Sequence, residues 1–289
     1  MRAFLTALGL LAAIGPAYAD DVYTLPPVGA QLTFRLVSTT KLADNTITAG
    51  QVYTYTITAV SGADIEGTIR PVALIYGCSE GDARKECVLG AKMAGAKRDG
   101  DLLTVPVSDS VADALVKESG FKGHYFMVEE RTFPMPGPKN PDDPNDAEFS
   151  DQPLFVLTNQ LKCDYQPLAA FFPLGKTQQL SLDCTNLFSR RHSRMATLKD
   201  QSQEAALSVE LSYIGADKLT LPSGDWDVQK VAIKYVPKSE TPQPGAEGES
   251  DVAVKLGVTV KSHTLVVNKA ANLSVETTSE MIAYKPPAN

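Results

Sequence analysis

The dominant pattern along this chain is an alternation of apolar and polar residues with a period of two. From Gln51 to Val60, Tyr53, Tyr55, Ile57 and Ala59 alternate with Thr54, Thr56 and Thr58. Successive side chains of a strand point to opposite faces, so this run of β-branched and aromatic residues predicts a half-buried strand. The same alternation marks Leu32, Phe34 and Leu36; Leu207, Val209, Leu211 and Tyr213; and Val231, Ile233 and Tyr235. It recurs at Val252, Val254 and Leu256, and at Leu273 and Val275. Turn residues separate these runs at Ser61-Gly62, Pro222–Asp225 and Lys269–Asn272. Short strands divided by tight turns predict an antiparallel meander and not a β-α-β alternation. One helix is predicted, capped by Ser108-Asp109-Ser110, striped by Val111, Leu115 and Val116, and stopped by Gly120.

Two stretches break the pattern. Pro134–Pro153 carries six prolines together with Asp142, Asp143 and Asp146, which predicts a linker. Pro237–Asp251 is rich in Pro, Glu, Gly and Ser, which predicts a long hairpin loop. The flanks of the linker are alike. Pro26-Pro27-Val28-Gly29 opens the strand around Leu32, and Phe172-Pro173-Leu174-Gly175 opens one around Leu180–Cys184. A long alternating strand then ends in Val60-Ser61-Gly62-Ala63-Asp64 in the first case, and in Tyr213-Ile214-Gly215-Ala216-Asp217 in the second. Duplication would explain this, and so would the general likeness of antiparallel stretches. The expected organisation is a leader at 1–19, a first meander half at 20–133, the linker at 134–153 and a second half at 154–289. The expected fold class is mainly β: antiparallel meanders forming a sandwich or incomplete barrel, with one short helix, because an isolated meander leaves its edges exposed.

The N-terminus adds a compartment. Arg2 precedes an apolar run from Leu5 to Ile14, followed by Gly15-Pro16 and by the small-x-small sequence Ala17-Tyr18-Ala19. That order predicts a cleaved export signal, and the run falls short of the about twenty residues that span a bilayer. No cysteine follows the cleavage position, which argues against a lipid anchor. The expected location is the bacterial periplasm, and the mature chain is not expected to be an integral membrane protein. The 289 residues are 43% hydrophobic, enough to bury a substantial core. Loss of Arg2 takes the formal charge from −7 to −8. Such a chain is repelled by phosphate backbones, so nucleic acid is excluded as an expected partner.

Four cysteines remain: Cys78, Cys87, Cys163 and Cys184. In an oxidising compartment an even number reads as disulfides, with three pairings open. Cys78–Cys87 and Cys163–Cys184 are favoured, because each closes a short loop between neighbouring strands. Zinc is disfavoured: no C-x-x-C spacing occurs and the chain has only three histidines. No metal and no cofactor is expected.

The segment Leu221-Pro222-Ser223-Gly224-Asp225-Trp226-Asp227-Val228, continuing to Lys230-Val231, resembles a hairpin of uncharacterised bacterial periplasmic β-strand proteins. In that domain of unknown function a strand ends in a Pro-Ala-Gly turn, an aromatic residue follows, and the next strand alternates Val and Lys. The Phe-Pro-Leu-Gly opening at Phe172 is similar to the start of the same module, so the resemblance covers the second half of the chain. It implies a β fold and an envelope location, and no activity.

Candidate chemistry is sparse. Gly77-Cys78-Ser79-Glu80-Gly81 fits G-x-S-x-G after the apolar run Val72–Tyr76, with Asp225 and His263 in the order of a hydrolase triad. That fold alternates strands and helices, whereas the sequence downstream reads as strand, and a Cys78–Cys87 bridge predicts a hairpin tip in place of a helix start. Arg190-Arg191-His192-Ser193-Arg194 is a basic cluster able to grip a carboxylate, a phosphate or an acidic partner. A solvated loop balancing the acidic linker is its plainer reading. His124 reads as a packed or surface residue. Asp142, Asp143, Asp146 and Glu148 lack the spacing of a calcium loop. Trp226, the only tryptophan, follows a tight turn and either anchors a ligand or partner or covers the end of a β core. The residues thus point to a non-enzymatic envelope protein binding an apolar ligand or another envelope protein, with Arg190, Arg191, Arg194 and Trp226 as candidate contacts. The alternative is a serine hydrolase using Ser79 and His263.

Overall fold

The structure is a computed structural model describing residues 23–43, 45–78, 85–122, 125–133, 136–138, 147–149, 155–172, 178–192, 201–238 and 245–288. The strands are β1 (Gln31–Leu42), β2 (Asn45–Ser61), β3 (Asp64–Gly77), β4 (Lys97–Asp99), β5 (Leu102–Pro106), β6 (Lys117–Lys122), β7 (Tyr125–Phe133) and β8 (Pro136–Pro138). They continue as β9 (Ala147–Phe149), β10 (Phe155–Cys163), β11 (Gln179–His192), β12 (Gln201–Leu221), β13 (Gly224–Pro237), β14 (Ala246–Ala253), β15 (Thr259–Asn268) and β16 (Leu273–Lys285). Three short helices of six residues each are interspersed among the described residues: α1 (Lys85–Gly90), α2 (Asp109–Ala114) and α3 (Gln166–Phe171).

Fourteen strands form one sheet in the order β2-β1-β16-β15-β14-β13-β12-β11-β10-β7-β6-β3-β5-β4, and β8 pairs with β9. Strands adjacent in sequence are adjacent in the sheet from β10 to β16, the meander that the alternation and turns predict. β1 then pairs with β16 from Gln31↔Lys285 to Leu42↔Leu273, joining the two ends of the described chain. β2 also pairs with β3, so the ladder bends back on itself. β3 has two neighbours on its other edge, β6 along Ile65–Ile69 and β5 along Ala73–Gly77. The hairpin of β5 and β4 branches off there, and the fold is mainly β, one large antiparallel sheet as the alternation predicts. The branch ends in Lys97-Arg98-Asp99, all exposed, and charge on an edge strand discourages pairing with other chains.

One core cluster joins Leu32 and Phe34 of β1, Tyr55 and Ile57 of β2, Ile65 and Ile69 of β3, Val260 of β15 and Met281 of β16. Tyr55 lies edge-on to Phe121, 5.2 Å between centroids, and its hydroxyl donates toward the carbonyls of Ile65 (3.4 Å) and Ser119 (3.3 Å). Gly67 makes room for that ring: a Cβ there would stand 2.6 Å from Tyr55 Cζ. A second cluster packs Leu168, Phe171 and Phe172 of α3 and its C-terminus onto Leu182, Val209, Leu211 and Val231. In a third, Val111, Ala112 and Leu115 cover Leu74, Leu103 and Val105. Arg70 fastens α2 to β3, because Asp109 and Asp113 sit one turn apart and both reach its guanidinium, at 2.7 and 2.8 Å.

Three local expectations are corrected. The predicted helix ends at Ala114, and Lys117–Lys122 is strand, with Gly120 opposite Glu66. Strand pairing takes Gly120 because a Cβ there would already crowd the Ile65 carbonyl at 3.1 Å. The Pro/Glu/Gly-rich loop stops at Ala246, where β14 begins. Its Gly248 lies so close to β15 that a Cβ would meet the His263 carbonyl. Val254–Gly257 is a tight turn despite its alternation, closed by the Gly257 N–H to the Ala253 carbonyl at 2.7 Å with Gly257 at φ 57°.

Candidate functional site

The sequence-derived candidates do not converge. Arg190 and Arg191 lie near the end of β11, opposite Leu157 and Val156 of β10, and Arg194 lies outside the described residues. Trp226 stands just past the turn of the β12–β13 hairpin, half-buried against the first core cluster. Its ring meets Tyr284 edge-on at 5.9 Å, and its Nε1–H donates to Ser223 Oγ at 3.1 Å. His124, Asp142, Asp143 and Asp146 also lie outside the described residues, and Glu148 belongs to β9.

Both cysteine pairs stand at bonding distance. Cys163 and Cys184 are register partners on β10 and β11, with Cα atoms 4.1 Å apart. Cys78 follows β3 directly and bonds Cys87, with Cα atoms 6.0 Å apart. Cys87 belongs to α1, so this bridge ties a strand end to a helix and not to a second strand. β3 precedes and α1 follows the serine motif in the chain, and Ser79 itself lies outside the described residues. The remaining triad candidates are far apart. His263 of β15 is opposite Glu249, which is opposite Ala232 of β13, seven positions from Asp225. At ~3.3 Å per residue that is ~23 Å along the strand. His263 instead meets Glu276 of β16, Nε2 to Oε1 at 2.9 Å.

Strand register assembles something else. Arg35 of β1 is opposite Glu280 of β16, which is opposite Lys261 of β15. Lys261 is opposite Asp251 of β14, and Asp251 is opposite Lys230 of β13. Five neighbouring strands thus present charges of alternating sign in one row, on the face turned away from Phe34, Leu36 and Met281. Lys230 extends it to Asp217 of β12 at 3.4 Å. Opposite charges facing each other across strands stabilise a sheet by a few tenths of a kcal/mol per pair.

The row changes character along its length. Asp251 is 8% exposed, and its Oδ1 has no hydrogen-bond partner among the described residues. Burial pushes its carboxyl above the ordinary value of 3.8, and the nearby Lys230 and Lys261 only partly oppose this. Lys230 is held above its ordinary value, chiefly by Asp251 and then by Asp217. At the other end the row opens into a cleft of about 340 Å³, lined by Arg35, Val37, Leu102, Lys261, Thr278, Ser279 and Glu280. Arg35 reaches Glu280 only at 3.9 Å, beyond hydrogen-bond length, so its guanidinium keeps donors for another acceptor. Lys261 is exposed. Five of the seven lining residues are polar, and between their charged ends the cleft presents a largely carbon surface.

None of this row was singled out from the sequence. Arg35, Glu280, Lys261 and Lys230 occupy ordinary polar positions of strands, Asp251 falls in the stretch whose composition predicts a loop, and only pairing register brings the five together. The one available signal was the alternation itself, which assigns Arg35, Lys261 and Glu280 to the face opposite the core.

No protein-family model matches this chain, and no curated protein matches it. Among solved structures, the hypothetical lipoprotein YmcC from Escherichia coli aligns with 89% of this chain and 85% of its own, at 9% identity and a TM-score of 0.38. A candidate exported protein with a YmcC-like fold from Bacteroides fragilis aligns with 91% of this chain and 99% of its own, at 9% identity and a TM-score of 0.34. A candidate lipoprotein from Parabacteroides distasonis aligns over the same shares at 10% identity and a TM-score of 0.31.

Proposed function

We propose that this chain is an exported, non-enzymatic binding protein of the bacterial envelope. The observation that carries the reading is the cleft at Arg35, Lys261 and Glu280, a concavity of a size suited to a small molecule, built on paired strands and lined by groups that hydrogen-bond. The leader-like sequence of Met1–Ala19 and the two bonded cysteine pairs support an oxidising, extracytoplasmic location. The acidic balance of the chain speaks against nucleic acid. Arg190, Arg191 and Arg194 are contacts proposed for a ligand or protein partner, and Trp226, near the other end of β12, is a separate proposed contact.

Native mass spectrometry of residues 20–289, purified from the periplasm, tests this. A reproducible small-molecule adduct that is lost in Arg35→Gln supports the reading and gives the ligand's mass. A clean apoprotein mass overturns the small-molecule reading and turns attention to a protein partner, with crosslinking as the next experiment.

A further inference from the structure

We infer that the cleft recognises a hydroxylated organic acid. This rests on the binding function proposed above and specifies its chemistry. Arg35 and Lys261 lie on β1 and β15, with β16 between them, so two cations flank one central position. A guanidinium and an ammonium so placed hold an oxyanion through charge-assisted hydrogen bonds. The residue between them is Glu280, an acceptor. A bare anion would be repelled by that carboxylate, whereas a ligand that also carries hydroxyl groups donates to it. Thr278, two positions along β16 from Glu280, adds a hydroxyl on the same face, and Val37 and Leu102 give the carbon chain an apolar wall. Cations at both sides, an acceptor in the middle and a hydroxyl beside it complement an acid whose other substituents are hydroxyls.

The test uses six-carbon probes that separate the two requirements. Gluconate has both the carboxylate and the hydroxyls, hexanoate has only the carboxylate, and sorbitol has only the hydroxyls. Inorganic phosphate serves as a fourth probe, to distinguish a phosphate site from a carboxylate site. Binding is followed by NMR titration of the exported protein, with backbone amides of β1, β15 and β16 as reporters. Gluconate is expected to shift these amides saturably and at least tenfold more tightly than hexanoate or sorbitol. Arg35→Gln and Lys261→Gln should each weaken gluconate by about tenfold or more, the value of a lost charge-assisted bond. Glu280→Gln should weaken gluconate while leaving hexanoate unchanged or tighter, which a purely structural role for Glu280 would not produce. Gluconate binding no tighter than both controls overturns the inference, as does binding that survives both cation variants, and phosphate outcompeting gluconate reassigns the oxyanion. A neutral adduct in native mass spectrometry, with no gluconate shift, would leave the binding function standing and remove this inference alone.

Discussion

The indole of Trp226 meets the ring of Tyr284 edge-on, and this contact fastens the tip of the β12–β13 hairpin to β16, the strand between β1 and β15. Trp226 also packs on the cluster containing Phe34, Tyr55 and Met281, so it closes one end of that core. Trp226→Ala should lower stability by about 2 kcal/mol, below the cost at a fully buried site because the ring is only half-buried. Urea unfolding followed by far-UV circular dichroism measures this, since the variant has no tryptophan left to report. An unchanged midpoint would reassign Trp226 to the surface.

Strands such as Leu207–Tyr213 and Val231–Tyr235 were legible because each buries one face, and burial on one face writes itself as alternation. Val252, Val254 and Leu256 alternate as well, yet only the first is in a strand. Leu256 is buried from within a turn, and burial without extension leaves the same trace in sequence. The short α2 was placed correctly at Ser108, but its end was not. Gly120 is a stop signal only when no neighbouring strand needs the space a side chain would fill. The charge row was illegible for a different reason. Its members span positions 35 to 280, and their proximity is a property of register that no local spacing encodes.

Gly67 carries a sharper prediction. A Cβ at this position would lie 2.4 Å from the Thr56 carbonyl and 2.6 Å from Tyr55 Cζ, and neither the backbone nor the buried ring can yield cheaply. Gly67→Ala should therefore destabilise by about 2 kcal/mol or more. Gly215, in the bulged part of β12, has open space around its Cβ position. Gly215→Ala should be neutral or stabilise by about 0.5–1 kcal/mol through the unfolded chain. Thermal unfolding of the two variants side by side decides it, and equal effects would discard the packing argument.

The bonded pairs make a chemical prediction. Without reductant the native chain should take up no thiol reagent, and after reduction in denaturant it should take up four equivalents, read by mass. Cys163 and Cys184 are separated by 21 positions and Cys78 and Cys87 by 9. The longer loop restricts the unfolded chain more, so Cys163→Ala with Cys184→Ala should cost about 3 kcal/mol, and the other pair somewhat less. Denaturant midpoints of the two double variants give the order, and a larger loss from the Cys78–Cys87 pair would contradict it.

Asp251 makes the pH dependence of stability testable, and the sign follows from its environment. The groups facing it are Lys230 from β13, Lys261 from β15, Glu249 from its own strand and Asp217 from β12. Burial outweighs the two lysines, so the folded-state pKa lies above 3.8 and the folded protein holds this proton more tightly than the unfolded chain. The stability contributed is complete below 3.8 and is lost as pH rises through the folded-state value. Asp183 and Asp217 behave oppositely: Lys238 holds the first below 3.8, and the Lys218 amide and Lys230 hold the second there, so their contributions fade on acidification. A bare stability curve mixes both trends, and the comparison with Asp251→Asn separates them. The asparagine keeps the shape and drops the titration, so the variant should gain stability relative to the parent as pH rises from 3.8 toward neutrality. Urea unfolding of both proteins at several pH values measures the difference. Parallel curves would mean that Asp251 ionises in the folded protein as easily as in water, and that the lysines beside it fully offset its burial.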